Sequence, residues 1–564
     1  MLKLLIFTSI LSLSCSSSEA NNETLHNCDR VCSSNNSPKT CYYHFSISYA
    51  ITGSLGCTNC IQTDGRRTIS NVFNNQLPGP SINVCYGDTV IVDVTNGLLE
   101  ATDIHWHGIH QVETPWMDGT QYLTQYPIEP TETFQYKFVA DMPGTFFYHS
   151  HFEVQRALGA FGSFVIRSPS NPAEDLYDVD TNVMFVNDWF YDGDIYKTHN
   201  ILINGLGQRQ MNHITSSEDS EDSKFAEFSV QKGKRYRFRT IYSSNTNCTL
   251  EISVDNHNLT VISSDSFHFN PVTVESFGIT SGERFDFIID ANEEVGTYWI
   301  RARGYYACAG MIQGAVLRYE DSSNAPKLSS LNSFYELSEV QLNPTVHDRN
   351  INDISVDKLQ SFESWEPSSI YPTYYMNLTL RDKGMGNFDF FINEILYEPE
   401  TRFSLLQEKY TIPFSKYYCN SSRFESEGVD CTQKTCKCPH MISIPCRRYV
   451  EILIFNPSHD VQPMHFHGYD LRVVGLGTLP SSFENTDQIQ KFDKENPLPR
   501  NYDYPPQKDN VQIIPFGGYI ILQMFTDNPG FWAVHCEVGT HSELGMFSIF
   551  KVCDPEDMKN VPVI

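Results

Sequence analysis

Positive charge is scarce in this chain. Its 40 lysines and arginines stand against 68 aspartates and glutamates, a formal net charge of −28, which repels nucleic acid and anionic membranes and excludes both as partners. Long apolar runs are scarce as well. Beyond Ala20 no segment supplies the roughly 18 uninterrupted apolar residues of a membrane span, so no membrane anchor is expected in the mature protein. The third shortage is helical periodicity, which removes the all-helical classes.

What is present begins with an address. Lys3 gives a positive start, Leu4 to Leu13 an apolar core, and Ser18-Glu19-Ala20 a small-residue cleavage site, so residues 1–20 read as a signal peptide and the protein as secreted and extracellular. Cysteine usage fits. Of 16 cysteines, Cys15 lies in the leader and Cys536 in a motif described below, which leaves an even 14. That number suits an oxidising compartment. The clusters Cys28, Cys32, Cys41, Cys57, Cys60 and Cys419, Cys431, Cys436, Cys438, Cys446 could also be read as zinc sites, but their irregular spacing and the leader favour disulfides. Sequons at Asn22, Asn35, Asn247, Asn258, Asn377 and Asn420 mark candidate surface glycosylation.

The pattern along the chain is all-β. Runs such as "DTVIVDVTN" from Asp88, "KRYRFRT" from Lys234 and "YVEILIFN" from Tyr449 alternate with period two and end in turn residues. Each is followed, further on, by a glycine turn feeding an aromatic strand: "MPGTFFYHSH" from Met142, "EVGTYWIRAR" from Glu294 and "NPGFWAVHCE" from Asn528. Three copies imply three related β-sandwich domains. After the signal peptide and a Cys-rich segment at 21–60, we place them at 61–170, 180–320 and 345–555, with a linker from Asp321 to Lys327. The middle copy carries Arg301 and Arg303 where the outer two carry histidines, so only the first and third domains are expected to bring metal ligands.

Those ligands gather in four short segments: "HWHG" (His105–Gly108), "HSH" (His149–His151), "QPMHFHG" (Gln462–Gly468) and "HCEVGTHSELGM" (His535–Met546). One H-x-H is weak evidence, because strand alternation puts both rings on one face by default. Three of them, beside a thiolate with an imidazole and a distant thioether, make a ligand set that suits copper.

In order and spacing these segments resemble those of the multicopper oxidases. The surrounding text, including "LPGPSINVCYGDTVIVDV", "HWHGIHQVETPWMDGTQYLTQYPI" and "NPLPRNYDYPPQKDNVQIIP", is similar to insect-type laccases. The resemblance implies cupredoxin-like domains, up to four coppers, and oxidation of a small phenolic or metal-ion substrate coupled to reduction of dioxygen to water. It implies a type 2 copper on His105 and His465, and a type 3 pair on His107, His149, His151, His467 and His535. It further implies a type 1 copper on Cys536, His541 and Met546, with Cys536 and His535 as the electron path.

Three positions depart from that pattern. Gln462 stands where a type 1 histidine belongs, and an amide oxygen is a harder, weaker donor, which implies a weak or empty type 1 site. His459 lies three residues upstream and is a poor substitute. Glu537 replaces a type 3 histidine with a hard anionic group. Leu158 replaces an aspartate that handles protons, and leucine neither accepts nor donates one. Two readings follow: a laccase-like oxidoreductase with impaired activity, or a non-enzymatic relative that serves as an extracellular binding protein on the same scaffold.

Overall fold

The computed structural model describes residues 28–558 apart from 34, 36, 54–59, 210–223, 321, 323–330, 332–337, 345–351, 368, 385–386, 410–413, 481–482 and 484. The leader, Asn22 and Cys57 therefore lie outside the described residues. Strands form six sheets in three pairs. In the first pair, Val90, Val92 and Val94 of the strand Thr89–Asn96 point into a core shared with Trp106, Phe146, Tyr148 and Phe164 of the facing sheet. This is the alternation expected of a sheet packed on one side.

Strand Thr40–Gly53 runs parallel to Thr89–Asn96, so the first sandwich takes in chain assigned from the sequence to the Cys-rich segment. Its Cys41, Phe45 and Ile47 are buried in the same core, and disulfides Cys28–Cys41 and Cys32–Cys85 fasten its start. Likewise Gln341–Leu342, beyond the expected end of the second domain, adds a parallel strand to Ser276–Ile279.

The three glycine turns lead into the strands Gly144–His149, Thr297–Tyr306 and Gly530–Cys536. In the middle one Arg301 is bound by Asp255, at 2.7 and 2.8 Å; an ion pair holds the place where the outer copies carry imidazoles. Disulfides also join Cys248–Cys308, Cys419–Cys438, Cys431–Cys436 and Cys446–Cys553. Among the described residues Cys536 is the free cysteine, and it is buried. One sequon is corrected: Asn377 is 1% exposed and its amide donates to Glu394, so it offers no surface for a glycan. No helix among the described residues is long and apolar enough to cross a membrane.

Candidate metal centre

Strand register assembles the histidines. His105–His107 pairs antiparallel with Gly144–His149 so that His105 lies opposite His149, and Gln462–Phe466 pairs with Gly530–Cys536 so that His465 lies opposite His535. Gly108 ends the first segment at φ +92°, where a Cβ would strike Phe146, Arg284 and Asp509. The motif's glycine is thus set by close approach as well as by backbone conformation. The first and third sandwiches then place all seven predicted cluster histidines in one nest: His105, His107, His149, His465, His467 and His535 are at most 3% exposed, and His151 joins His467 and His535.

The ring protons are placed by the surrounding oxygens. Nδ1 of His105 bonds the Asp118 carbonyl at 2.8 Å, that of His465 the Asp509 carbonyl at 2.9 Å, and those of His149 and His535 the carbonyls of Ser150 and Cys536, both at 2.9 Å. His467 Nδ1 bonds the Asp118 carboxylate at 2.9 Å. A carbonyl only accepts, so each of these rings carries its proton on Nδ1 and presents the Nε2 lone pair inward. His467 Nε2 and His535 Nε2 face each other at 3.0 Å, and His151 Nε2 lies 3.1 Å from the latter. The lone pairs of His467 and His535 at that distance repel unless a cation sits between them. Nε2 of His105, His149 and His465 and both nitrogens of His107 are buried without a hydrogen-bond partner. These residues fit a bound metal: His151, His467 and His535 offer three imidazoles to one ion, and His105 and His465 offer two to another.

Burial and the neighbouring rings lower the pKa of His467 to about 3. Against the opposing effect of its own burial, the His467 and His105 imidazoles hold the Asp118 carboxyl below the usual carboxylate range. Asp509 is gripped from the middle domain: Arg284 Nη1 donates to its Oδ1 at 2.6 Å and Arg284 Nε to the Thr145 carbonyl at 3.1 Å. Among its described residues the second domain brings no imidazole to the nest, but it orients two strands that do. Asp118, Asp509 and Arg284 were not singled out from the sequence; the two aspartates stand inside the quoted motif strings, whereas Arg284 gives no local signal.

The thiolate pocket differs. Gln462 Oε1 accepts from Cys536 Sγ at 3.1 Å and from His541 Nδ1 at 2.9 Å, and the two donors lie 3.6 Å apart. His541 stacks on Phe390 at 4.1 Å, and burial lowers its pKa to about 3. Burial also pushes the Cys536 thiol well up. Met546 is buried in the same core, its carbonyl accepting the Cys536 N–H at 3.1 Å. His459 stays at the surface, 54% exposed and facing Asp460 at 3.9 Å. Cys536 and His541 come together by their side chains and Met546 adjoins them by its backbone, but Gln462 ties the first two by their protons.

Glu537 is fully buried with Oε1 3.7 Å from His107 Nδ1 and 4.0 Å from His149 Nε2. The same oxygen is held by Arg156 Nη1, while Arg156 Nη2 donates to the Glu537 carbonyl at 2.8 Å. Arg156 had no role in the sequence reading. Leu158 packs with Val154, Ala157, Phe190 and Ile195, and a cavity of about 30 Å³ beside His149, His151 and His535 is lined by the carboxyl residues Glu153 and Glu543.

A three-sandwich chain with a buried histidine nest between its outer domains is a copper-oxidase architecture. The family model described as multicopper oxidase matches residues 54–171, 173–322 and 407–556, and the chain belongs to that family. It is similar to a laccase of Trametes hirsuta, 31% identical over 91% of this chain and 92% of the relative. It is also similar to laccase-4 of Trametes villosa, 29% identical over 89% of each. The crystal structure of a laccase from Botrytis aclada superposes with a TM-score of 0.73 at 25% identity, covering 93% of this chain and 90% of that one. That of Fet3p, a multicopper oxidase that functions in iron import, superposes at 0.72 and 20% identity over 93% of each, a likeness of fold alone.

Proposed function

We infer that the protein is a secreted, copper-binding laccase relative in which substrate oxidation is poorly coupled to dioxygen reduction, because electrons are not taken up at Cys536. Gln462 carries this reading. Its amide oxygen lies between Cys536 Sγ and His541 Nδ1, so it takes up both of those protons, while its own Nε2 is buried without a hydrogen-bond partner, and the pocket has lost one imidazole donor for copper. In the intact family pattern the residues at the places of Gln462, Cys536, His541 and Met546 would hold a copper that supplies one-electron oxidation of a phenol or a reduced metal ion. In this chain His535 and Cys536 still join the two pockets through one strand, and the nest still presents inward lone pairs.

The second reading, an extracellular binding protein without turnover, is favoured by the same hydrogen bonds, since the thiol and imidazole protons both find their acceptor without metal. Optical absorption and phenol oxidation by the copper-loaded protein test the proposal. We expect the intense thiolate-to-copper band to be absent or much reduced, turnover to be at most a few per cent of an intact laccase, and Gln462→His to bring back the band. A full blue band with laccase-like turnover in the unmodified protein overturns the proposal.

A further inference from the structure

We propose that the Arg156–Glu537 ion pair occupies the place of a third cluster metal, so that the nest holds two ions and a fixed cation instead of three ions. This rests on the reading of the nest as a copper site and concerns a different set of atoms from the thiolate pocket. The position at issue is bounded by His107 Nδ1, His149 Nε2 and Glu537 Oε1. In the family pattern a neutral imidazole stands where Glu537 does.

Here the oxygen that faces the two imidazoles is the one Arg156 Nη1 holds. A guanidinium has five donors, no acceptor and no neutral form in a protein, so it stays a cation whatever the metal content. Arg156 is also fixed from other sides. Its Nη2 donates to the Glu537 carbonyl at 2.8 Å and to the Ser244 carbonyl at 3.3 Å, and it is 8% exposed. It comes from the first sandwich, Glu537 from the third and Ser244 from the second, so one side chain ties all three domains where a metal would have tied two.

The charges close without metal. The Glu537 carboxylate is balanced by Arg156, and a divalent ion placed among His107, His149 and Glu537 would lie within a few ångströms of an immovable positive charge in a dry site, where repulsion is weakly screened. Packing also fixes the Glu537 side chain: Gly282 of the second sandwich lies so close that a Cβ on it would be 2.5 Å from the Glu537 Cγ. Among the described residues no such cation is bound to the donors of the other two positions, His151 with His467 and His535, and His105 with His465. Arg156 and Glu537 are 381 residues apart in the chain, and the second carboxylate oxygen, Oε2, lies 3.8 Å from His535 Nδ1 without a hydrogen bond.

The pair changes what repair requires. Glu537→His alone would supply the missing imidazole while leaving a buried guanidinium without its counterion, so the third position should stay closed. Only removal of both members opens it. The test is copper per chain by mass spectrometry on full-length, copper-loaded protein in a Cys536→Ala background, which eliminates the thiolate site. We expect two coppers in that protein, two again with Glu537→His, and three with Arg156→Met and Glu537→His together. Because Glu537→His alone could fail to fold, the parent and the double variant carry the test. Three coppers in the parent, or two in the folded double variant, overturn the proposal while leaving the reading of the nest intact. No copper in the parent overturns that reading, and this one with it.

Discussion

Two pockets share the strand Gly530–Cys536, each has a substitute where a histidine belongs, and they differ in the ligands left over. At Cys536 the substitute, Gln462, accepts protons from both neighbouring donors, and the pocket rests as a hydrogen-bonded cluster. Beside it in the nest, His105 and His465 each keep a buried Nε2 without a partner, and His467 and His535 turn theirs on each other at 3.0 Å. Leaving buried polar atoms unpaired costs about 1–3 kcal/mol each; the unpaired atom of the thiolate pocket, Gln462 Nε2, is a donor that no cation satisfies, so the nest gains more from a cation than the thiolate pocket does. The difference shows that losing a ligand and losing a metal site are separate events. What decides is whether the remaining ligands find another use for their lone pairs and protons.

The contrast breaks most visibly with His467→Ala. It removes one of three converging imidazoles and should weaken copper binding by more than about 100-fold, beyond the effect expected of an outer partner, whereas Cys536→Ala should leave copper content unchanged; equilibrium dialysis reads both. Asp118→Asn tests the outer partner itself. Asp118 orients His467 and His105, and its neutralisation should cost about 10–100-fold in copper affinity, measured by chelator competition.

Acid sharpens the comparison. His467 and His541 both stay neutral in the fold down to about pH 3, whereas an unfolded histidine takes up its proton near pH 6.5. The unfolded chain binds more protons between those values, so each residue contributes stability that is complete above about pH 6.5 and is lost as pH falls, up to about 2 kcal/mol by pH 5. In denaturant titrations at several pH values, copper should offset the loss at His467, whereas the share due to His541, tested with His541→Gln, should persist. The smallest expected effect is that of Gln462→Leu. It takes the acceptor from a buried imidazole N–H and a weakly donating thiol, and should lower stability by about 1 kcal/mol without altering copper bound in the nest.

Much of this was legible in the chain. Period-two runs such as Thr89–Asn96 and the three glycine turns indicated sandwiches, and H-x-H spacing placed ring pairs on one strand face, as His105 and His107 show. Sandwich edges were not legible, because Thr40–Gly53 and Gln341–Leu342 join their sheets by parallel pairing with strands distant in sequence, which leaves no turn to mark them. The same distance hid Arg156. Nothing in "HFEVQRALG" separates an arginine that neutralises Glu537 across 381 residues from one in solvent. Gln462 was legible as a missing ligand, but its acceptance of both the Cys536 and His541 protons depends on side-chain geometry that spacing does not carry.

The central claim, that the nest demands metal while the thiolate pocket rests without it, is tested most directly by a crystal structure of the copper-soaked protein with anomalous scattering recorded at the copper edge. The account predicts strong peaks among His105, His151, His465, His467 and His535, and none between Cys536 and His541, with Gln462 still bridging them. A peak of full height beside Cys536, with an empty nest or equal to the peaks there, would contradict it.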